Sequence, residues 1–156
     1  MKEFRNRPKD GYIHEADWQN LYSLTERWKS DLEFYNQDLK FLHGLIDKFF
    51  MWISKKENID MVQEIELGLL DMDKRSTTLL QKVNKHLHHL SELIDNPFAY
   101  DSHKFRTEHE QLEDELETFV KDFRKNRKEV FKVTEYTIDT EEMARKFHLS
   151  EKSNTP

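Results

Sequence analysis

The 156-residue sequence has no cysteine, only three glycines and only three prolines. The absence of cysteine excludes disulfides, thiol nucleophiles, iron–sulfur ligation and cysteine-based zinc sites. So few glycines and prolines leave too few turn residues for a fold of many short strands. No window of 18 uncharged apolar residues is present, so we expect no membrane span. The first ten residues are charged and lack an apolar core, which argues against a signal peptide.

Charges of both signs are abundant in this chain. Charged residues make up 36% of it and apolar residues also 36%, a balance typical of long amphipathic helices. The formal net charge is −6, so we do not expect the whole molecule to attract nucleic acid or an anionic membrane. A basic run at residues 121–132 would lie beside the acidic start of a neighbouring helix, which would neutralise it. These features predict a soluble, cytoplasmic protein.

Apolar residues recur at alternating intervals of four and three along much of the chain, which is the spacing of helices packed lengthwise. The clearest example, the seam of the first predicted helix, consists of Trp28, Leu32, Tyr35, Leu39, Leu42, Ile46, Phe49 and Ile53. A second stripe, which widens this apolar face, consists of Leu24, Phe34, Phe41, Leu45 and Trp52. The first helix is therefore expected to have more than one neighbour. Two later segments, which begin near Val62 and Phe105, repeat the spacing.

The spacing predicts three long helices, at about residues 14–55, 60–95 and 102–134. Asp60 with Gln63 fits a capping box at the start of the second helix, and Pro97 ends that helix. A short fourth helix is predicted at about residues 139–148, because Asp139 followed by Glu142 resembles a second helix cap.

The loops between the three long helices are short, so successive helices must run in opposite directions. The sequence therefore predicts an all-α protein, an antiparallel up-down-up bundle with a short C-terminal helix. We expect one domain over residues 14–148, preceded by a flexible lead-in at 1–13 and followed by a disordered tail at 149–156.

Several histidines lie near the turn between the second and third predicted helices. A hairpin there would bring His86 and His109 opposite each other in the seam, with His89 and Glu113 on adjoining turns. Imidazoles that converge with a carboxylate inside a bundle are the ligands of a zinc or iron site. Alternatively, His86 and His109 are core polar groups bonded to each other or to water. The stricter Glu-x-x-His and His-Glu-x-x-His patterns are absent.

The five residues 49–53 are apolar on every face of the first helix, more than a three-helix core can cover. Phe50 or Trp52 must therefore be covered by another group. Cover from within the chain would come from the apolar residues that follow the third helix, namely Tyr136, Ile138, Met143 and Phe147. The alternative is a protein partner or a second copy, with Phe50 and Trp52 as the interaction surface.

No catalytic motif accompanies this pattern, so we expect a non-enzymatic helical bundle with a structural or protein-interaction role. The alternative is a metal-binding bundle that uses His86, His89, His109 and Glu113 for zinc or iron. A third hypothesis is a helical enzyme subunit that is active only with a partner.

Overall fold

A computed structural model describes residues 16–153, with side chains described over residues 16–142. Three α-helices make up nearly all of this part: α1 spans Trp18–Phe50, α2 spans Lys56–Asp95 and α3 spans Ser102–Ser153. All three helices contact one another, as in a bundle, and α2 packs against both of the others. No strand occurs among residues 16–153, which confirms the all-α class. The predicted lead-in and residues 154–156 of the predicted tail lie outside this range.

The core runs along the inner faces of all three helices, because each helix buries its seam. Its largest fully buried side chains are Trp28, Phe119, Leu21, Leu32, Leu39, Leu42, Ile46, Leu69, Met72, Leu90 and Leu93. Burial of one such aliphatic or phenylalanine side chain stabilises the folded state by about 1.5–3 kcal/mol. Despite this long apolar core, none of the described helices is long and apolar enough to cross a membrane.

Polar contacts at helix edges fix the register of neighbouring helices. His43 Nε2 on α1 lies 2.6 Å from Asp73 Oδ2 on α2, and Ser76 on α2 donates a hydrogen bond to Asn36 on α1. At the start of α1, the Arg106 side chain donates to the carbonyl oxygen of residue 16 at 2.6 Å. These contacts hold α1 against both of the other helices.

The corner between α1 and α2 differs from the sequence prediction. Helix α1 ends at Phe50 and α2 begins at Lys56, whereas the prediction placed these boundaries near residues 55 and 60. The prediction that Asp60 and Gln63 form a capping box at the start of the second helix is therefore wrong. The physical reason is a tertiary contact: Glu141 of α3 accepts hydrogen bonds from the backbone N–H groups of Ser54 and Lys55. The carboxylate accepts the hydrogen bonds that a capping side chain would otherwise accept, and Ser54 and Lys55 therefore lie outside both helices.

The predicted short fourth helix is also wrong, because α3 is continuous from residue 102 to residue 153. It extends through the first residues of the segment that we expected to be a tail. Thr134, Thr137 and Glu141 are buried and continue the seam of α3 at helical spacing. Because these seam residues are polar, the apolar periodicity ends before the helix does. Asp139, the expected cap, lies inside the helix.

Candidate functional site

The structure brings His86 of α2 and His109 of α3 together inside the bundle. His86 Nε2 lies 2.7 Å from His109 Nδ1, a hydrogen-bond distance, and both residues are buried. Only one proton can occupy that bond, so one ring donates through it and the other accepts. We refer to these two residues as the histidine pair.

Aromatic rings enclose the histidine pair on both sides. The ring of Phe105 stacks on His86, with centroids 4.5 Å apart and planes within 6°. The indole of Trp28 stacks on His109 at 4.6 Å and 30°. The four rings therefore form a layer that joins all three helices.

Burial governs the protonation of His86. It lowers the pKa of His86 from 6.5 to about 4, and the nearby His89 adds a smaller electrostatic contribution in the same direction. His86 is also the member of the pair that reaches a surface groove between α2 and α3. This groove is lined by Lys82, Lys85, His86, His89, Glu108, Gln111, Leu112 and Glu115. His86 is therefore neutral at pH 7.

The other two predicted metal ligands occupy different surroundings. Glu113 is fully buried on α3, whereas His89 is half-buried and its ring centroid lies 4.9 Å from that of Tyr100. Among the side chains of residues 16–142, no group of three or more His, Asp or Glu residues is arranged to hold a metal ion. Of the four, His86 and His109 are in direct contact. Zinc or iron binding by this set stays a hypothesis from the sequence.

A second polar cluster lies at the other end of the bundle and was not predicted. The Glu141 side chain is 2% exposed and accepts four hydrogen bonds of 2.9–3.1 Å from the start of α2 and the residues before it. The donors are the N–H and hydroxyl of Ser54, the N–H of Lys55 and the side-chain amide of Asn58. Asn58 is itself buried and also donates to Thr140.

The protonation of Glu141 follows from these donors. Burial alone would raise the pKa of Glu141, but the backbone and side-chain donors outweigh burial and lower that pKa to about 2. Glu141 is therefore charged at any ordinary pH, close to the positive end of α2. The only sequence signal for this cluster was the continued four-three spacing of the polar residues Thr134, Thr137 and Glu141.

The predicted interaction surface lies at the same end of the bundle. Phe50 is 38% exposed and the adjoining Met51 is 89% exposed. Trp52 is half-buried, packs against the main core and meets the ring of Phe49 edge-on at 6.3 Å. Of the residues expected to cover this ring of apolar groups, Tyr136 is itself half-exposed. The side chains of Met143 and Phe147 lie outside the described residues.

Comparisons with protein-family models, with curated proteins and with solved structures found no match for this chain.

Proposed function

We propose that the protein is a non-enzymatic helical bundle that binds another protein chain through the apolar surface at the end of α1, formed by Phe50, Met51 and Trp52. The observation that carries this proposal is the exposure of Phe50 and Met51 beside a Trp52 that is only half-buried. Exposed apolar side chains that are contiguous mark interaction sites in soluble proteins.

Further exposed apolar side chains favour an interaction role over a purely structural one. Those on the outer faces of the helices are Phe34, Phe41, Leu67, Leu70, Phe131 and Tyr136. They lie on all three helices, although the core already contains the seam residues of each. These side chains are additional apolar surface that the core of the chain does not bury.

The same proposal includes the direction of the helices. We infer an antiparallel up-down-up bundle, in which α1 and α3 run parallel and α2 runs opposite to them. Two cross-helix ion pairs support this direction for α2 and α3: Arg75 with Asp122 at 2.9 Å and Lys82 with Glu115 at 2.9 Å. As the residue number rises along α2, that of the paired residue falls along α3. Such a bundle leaves one outer face on each helix for partners.

Site-specific photo-crosslinking tests the interaction surface. A photoreactive phenylalanine analogue at position 50 should form discrete adducts with a protein partner in cells that make the protein. The matched control is the same analogue in place of Lys40, which is exposed on the same helix. Excess wild-type protein should compete the adducts away, whereas the Phe50→Ser variant should not. Adducts no stronger at position 50 than at position 40 would refute the proposal.

Two parts of the functional hypothesis need separate tests. Elemental analysis of the purified protein, with and without prior chelator treatment, decides whether zinc or iron is present in stoichiometric amounts. A stoichiometric metal that the His86→Leu/His109→Leu variant lacks would establish the metal-binding alternative. The cytoplasmic location belongs to the same proposal and is tested by cell fractionation.

A further inference from the structure

Helix α2 carries an exposed row of residues at the spacing of a helix-packing seam. The intervals are four, three, four, three, four and three, and the row consists of Lys56, Asp60, Gln63, Leu67, Leu70, Lys74 and Thr77. All seven residues are exposed, so the row lies away from the core seam of α2. We call it the outer α2 stripe.

Two leucines form the centre of the outer α2 stripe. Leu67 is 67% exposed and Leu70 is 47% exposed, although both lie well inside a 40-residue helix and not at its end. Together with Gln63 and Glu66, they line a shallow depression on the surface. In helix pairs, apolar side chains at such positions insert into depressions on the facing helix.

The charged residues of the outer α2 stripe favour a second copy of the same helix as its partner. Asp60 and Lys74 each lie seven residues from Leu67, on opposite sides. If two copies of α2 packed antiparallel with their Leu67 residues facing, each Asp60 would lie level with Lys74 of the other copy. A parallel arrangement would instead place like charges together. Within the described part of the chain, neither Asp60 nor Lys74 forms an ion pair.

We propose that the outer α2 stripe binds a second copy of this chain, with the two α2 helices antiparallel about a two-fold axis at Leu67. Such an interface uses the same surface on both copies, so it closes at a dimer. The inference rests on the proposed interaction role and names the partner. By the register of His43 with Asp73, Phe50 and Met51 lie level with residues 66 and 65 of α2, close to the level of Leu67.

The exposed phenylalanines of α1 do not provide an equivalent surface for a second copy. Phe34 and Phe41 are seven residues apart, and Arg27 and Lys48 lie seven residues beyond them on either side. An antiparallel pair of α1 helices that joined Phe34 to Phe41 would place Arg27 of one copy beside Lys48 of the other. Two like-charge contacts disfavour that dimer, whereas Asp60 and Lys74 of the outer α2 stripe would form two opposite-charge contacts.

Sedimentation equilibrium of the full chain over a wide concentration range tests the proposal. The mass should rise with concentration from 19.1 kDa to twice that value and then stop. The Asp60→Lys variant should raise the dimer dissociation constant about tenfold or more, because both ion pairs become repulsive. The Asp60→Lys/Lys74→Asp double variant should restore dimerisation, since the swapped charges face each other again. Phe34→Ser is the matched control and should dimerise like the wild type.

Each substituted residue is exposed, so far-ultraviolet circular dichroism should show unchanged helix content in all the variants. A wild-type protein that stays monomeric to millimolar concentration would overturn the dimer. Dimerisation that is equal in Asp60→Lys and in the charge swap would overturn the antiparallel α2 interface. A monomeric protein that still gives specific crosslinks from position 50 would overturn the dimer while leaving the proposed function intact.

Discussion

The backbone N–H of Lys55 donates a hydrogen bond to Glu141 Oε1 at 3.0 Å, which joins residues 86 positions apart. Lys55 is the residue that precedes α2, and its own side chain makes no capping hydrogen bond. The first N–H groups of a helix have no partner within the helix, so the start of α2 depends on a carboxylate from α3. This one side chain therefore connects the corner between α1 and α2 to the distal part of α3.

We predict that Glu141→Ala lowers the free energy of unfolding by about 2–4 kcal/mol, because it leaves the buried side-chain amide of Asn58 and the part-buried N–H groups of Ser54 and Lys55 without their acceptor. Chemical denaturation measures the loss. Glu142→Ala is the matched control, since Glu142 is the exposed neighbour of Glu141 and should change stability by no more than about 0.5 kcal/mol. Equal losses in the two variants would contradict a capping role for Glu141.

The same variant should show a specific pH dependence. The folded pKa of Glu141 is about 2, below the ordinary value of 4.5, so its charged form stabilises the folded state. This contribution is complete above about pH 4.5 and is lost as the pH falls toward 2. The stability difference between wild type and Glu141→Ala should therefore be constant from pH 7 to 5 and shrink from pH 4.5 to 3. A difference that does not shrink would mean that packing, not charge, carries the effect.

The histidine pair should make the bundle less stable in mild acid. Because the pKa of His86 is about 4 when folded and 6.5 when unfolded, only the unfolded chain gains a proton between these values. The contribution of His86 is complete above about pH 6.5 and is lost as the pH falls toward 4. Lowering the pH from 7.5 to 5 should cost the wild type about 1–2 kcal/mol more than it costs the His86→Leu/His109→Leu variant.

Comparing these two proteins isolates the histidine pair from other titrating groups. His43 beside Asp73 and His88 beside Glu92 are present in both proteins, so their contributions cancel. The double variant also avoids leaving one buried imidazole without its partner, which a single substitution would do. Parallel stability curves for the two proteins between pH 7.5 and 5 would show that His86 titrates normally in the folded state.

The sequence predicted the helices where apolar residues define a seam. Leu39 and Leu116 fall at seam positions, and both are buried in the core. The juxtaposition of His86 with His109 could also be predicted, because a hairpin at Pro97 brings two seam positions to one level. Apolar periodicity is a reliable guide here because the core runs lengthwise along all three helices.

The prediction was wrong where polar side chains make tertiary contacts. The corner at residues 51–55 carries no glycine or proline, and its acceptor lies 86 residues away on α3. Local capping rules therefore chose Asp60 and Asp139, each of which lies inside a helix. Glu141 could not be identified as a cap because the evidence for it, the distance to Lys55, exists only in the folded chain.

Leucines of the central seam should dominate stability. Leu39→Ala and Leu116→Ala should each cost about 2–5 kcal/mol, because both side chains are buried and their removal leaves a cavity. Lys40→Ala, which changes the exposed neighbour of Leu39, should change stability by no more than about 0.5 kcal/mol. Denaturant titration measures all three, and comparable losses at Leu39 and Lys40 would contradict the seam.

The two helical glycines should respond oppositely to alanine. A Cβ at Gly44 would meet nothing within 4 Å, so Gly44→Ala should raise the free energy of unfolding by about 0.5–1 kcal/mol through helix propensity. A Cβ at Gly68 would lie 2.8 Å from Asn126 Oδ1, and the Asn126 side chain is held by its hydrogen bond to the carbonyl of Asp122. Gly68→Ala should therefore be less stable than Gly44→Ala by about 1–3 kcal/mol.

The Asn126→Ala background separates steric overlap from any other effect at Gly68. Removing the amide opens the space that a Cβ at position 68 needs, so Gly68→Ala should be stabilising in that background, as Gly44→Ala is in the wild type. Thermal or denaturant unfolding of the four combinations at positions 68 and 126 gives the coupling energy directly. A coupling energy near zero would mean that α2 and α3 do not approach closely at Gly68, and the register of these two helices would then need revision.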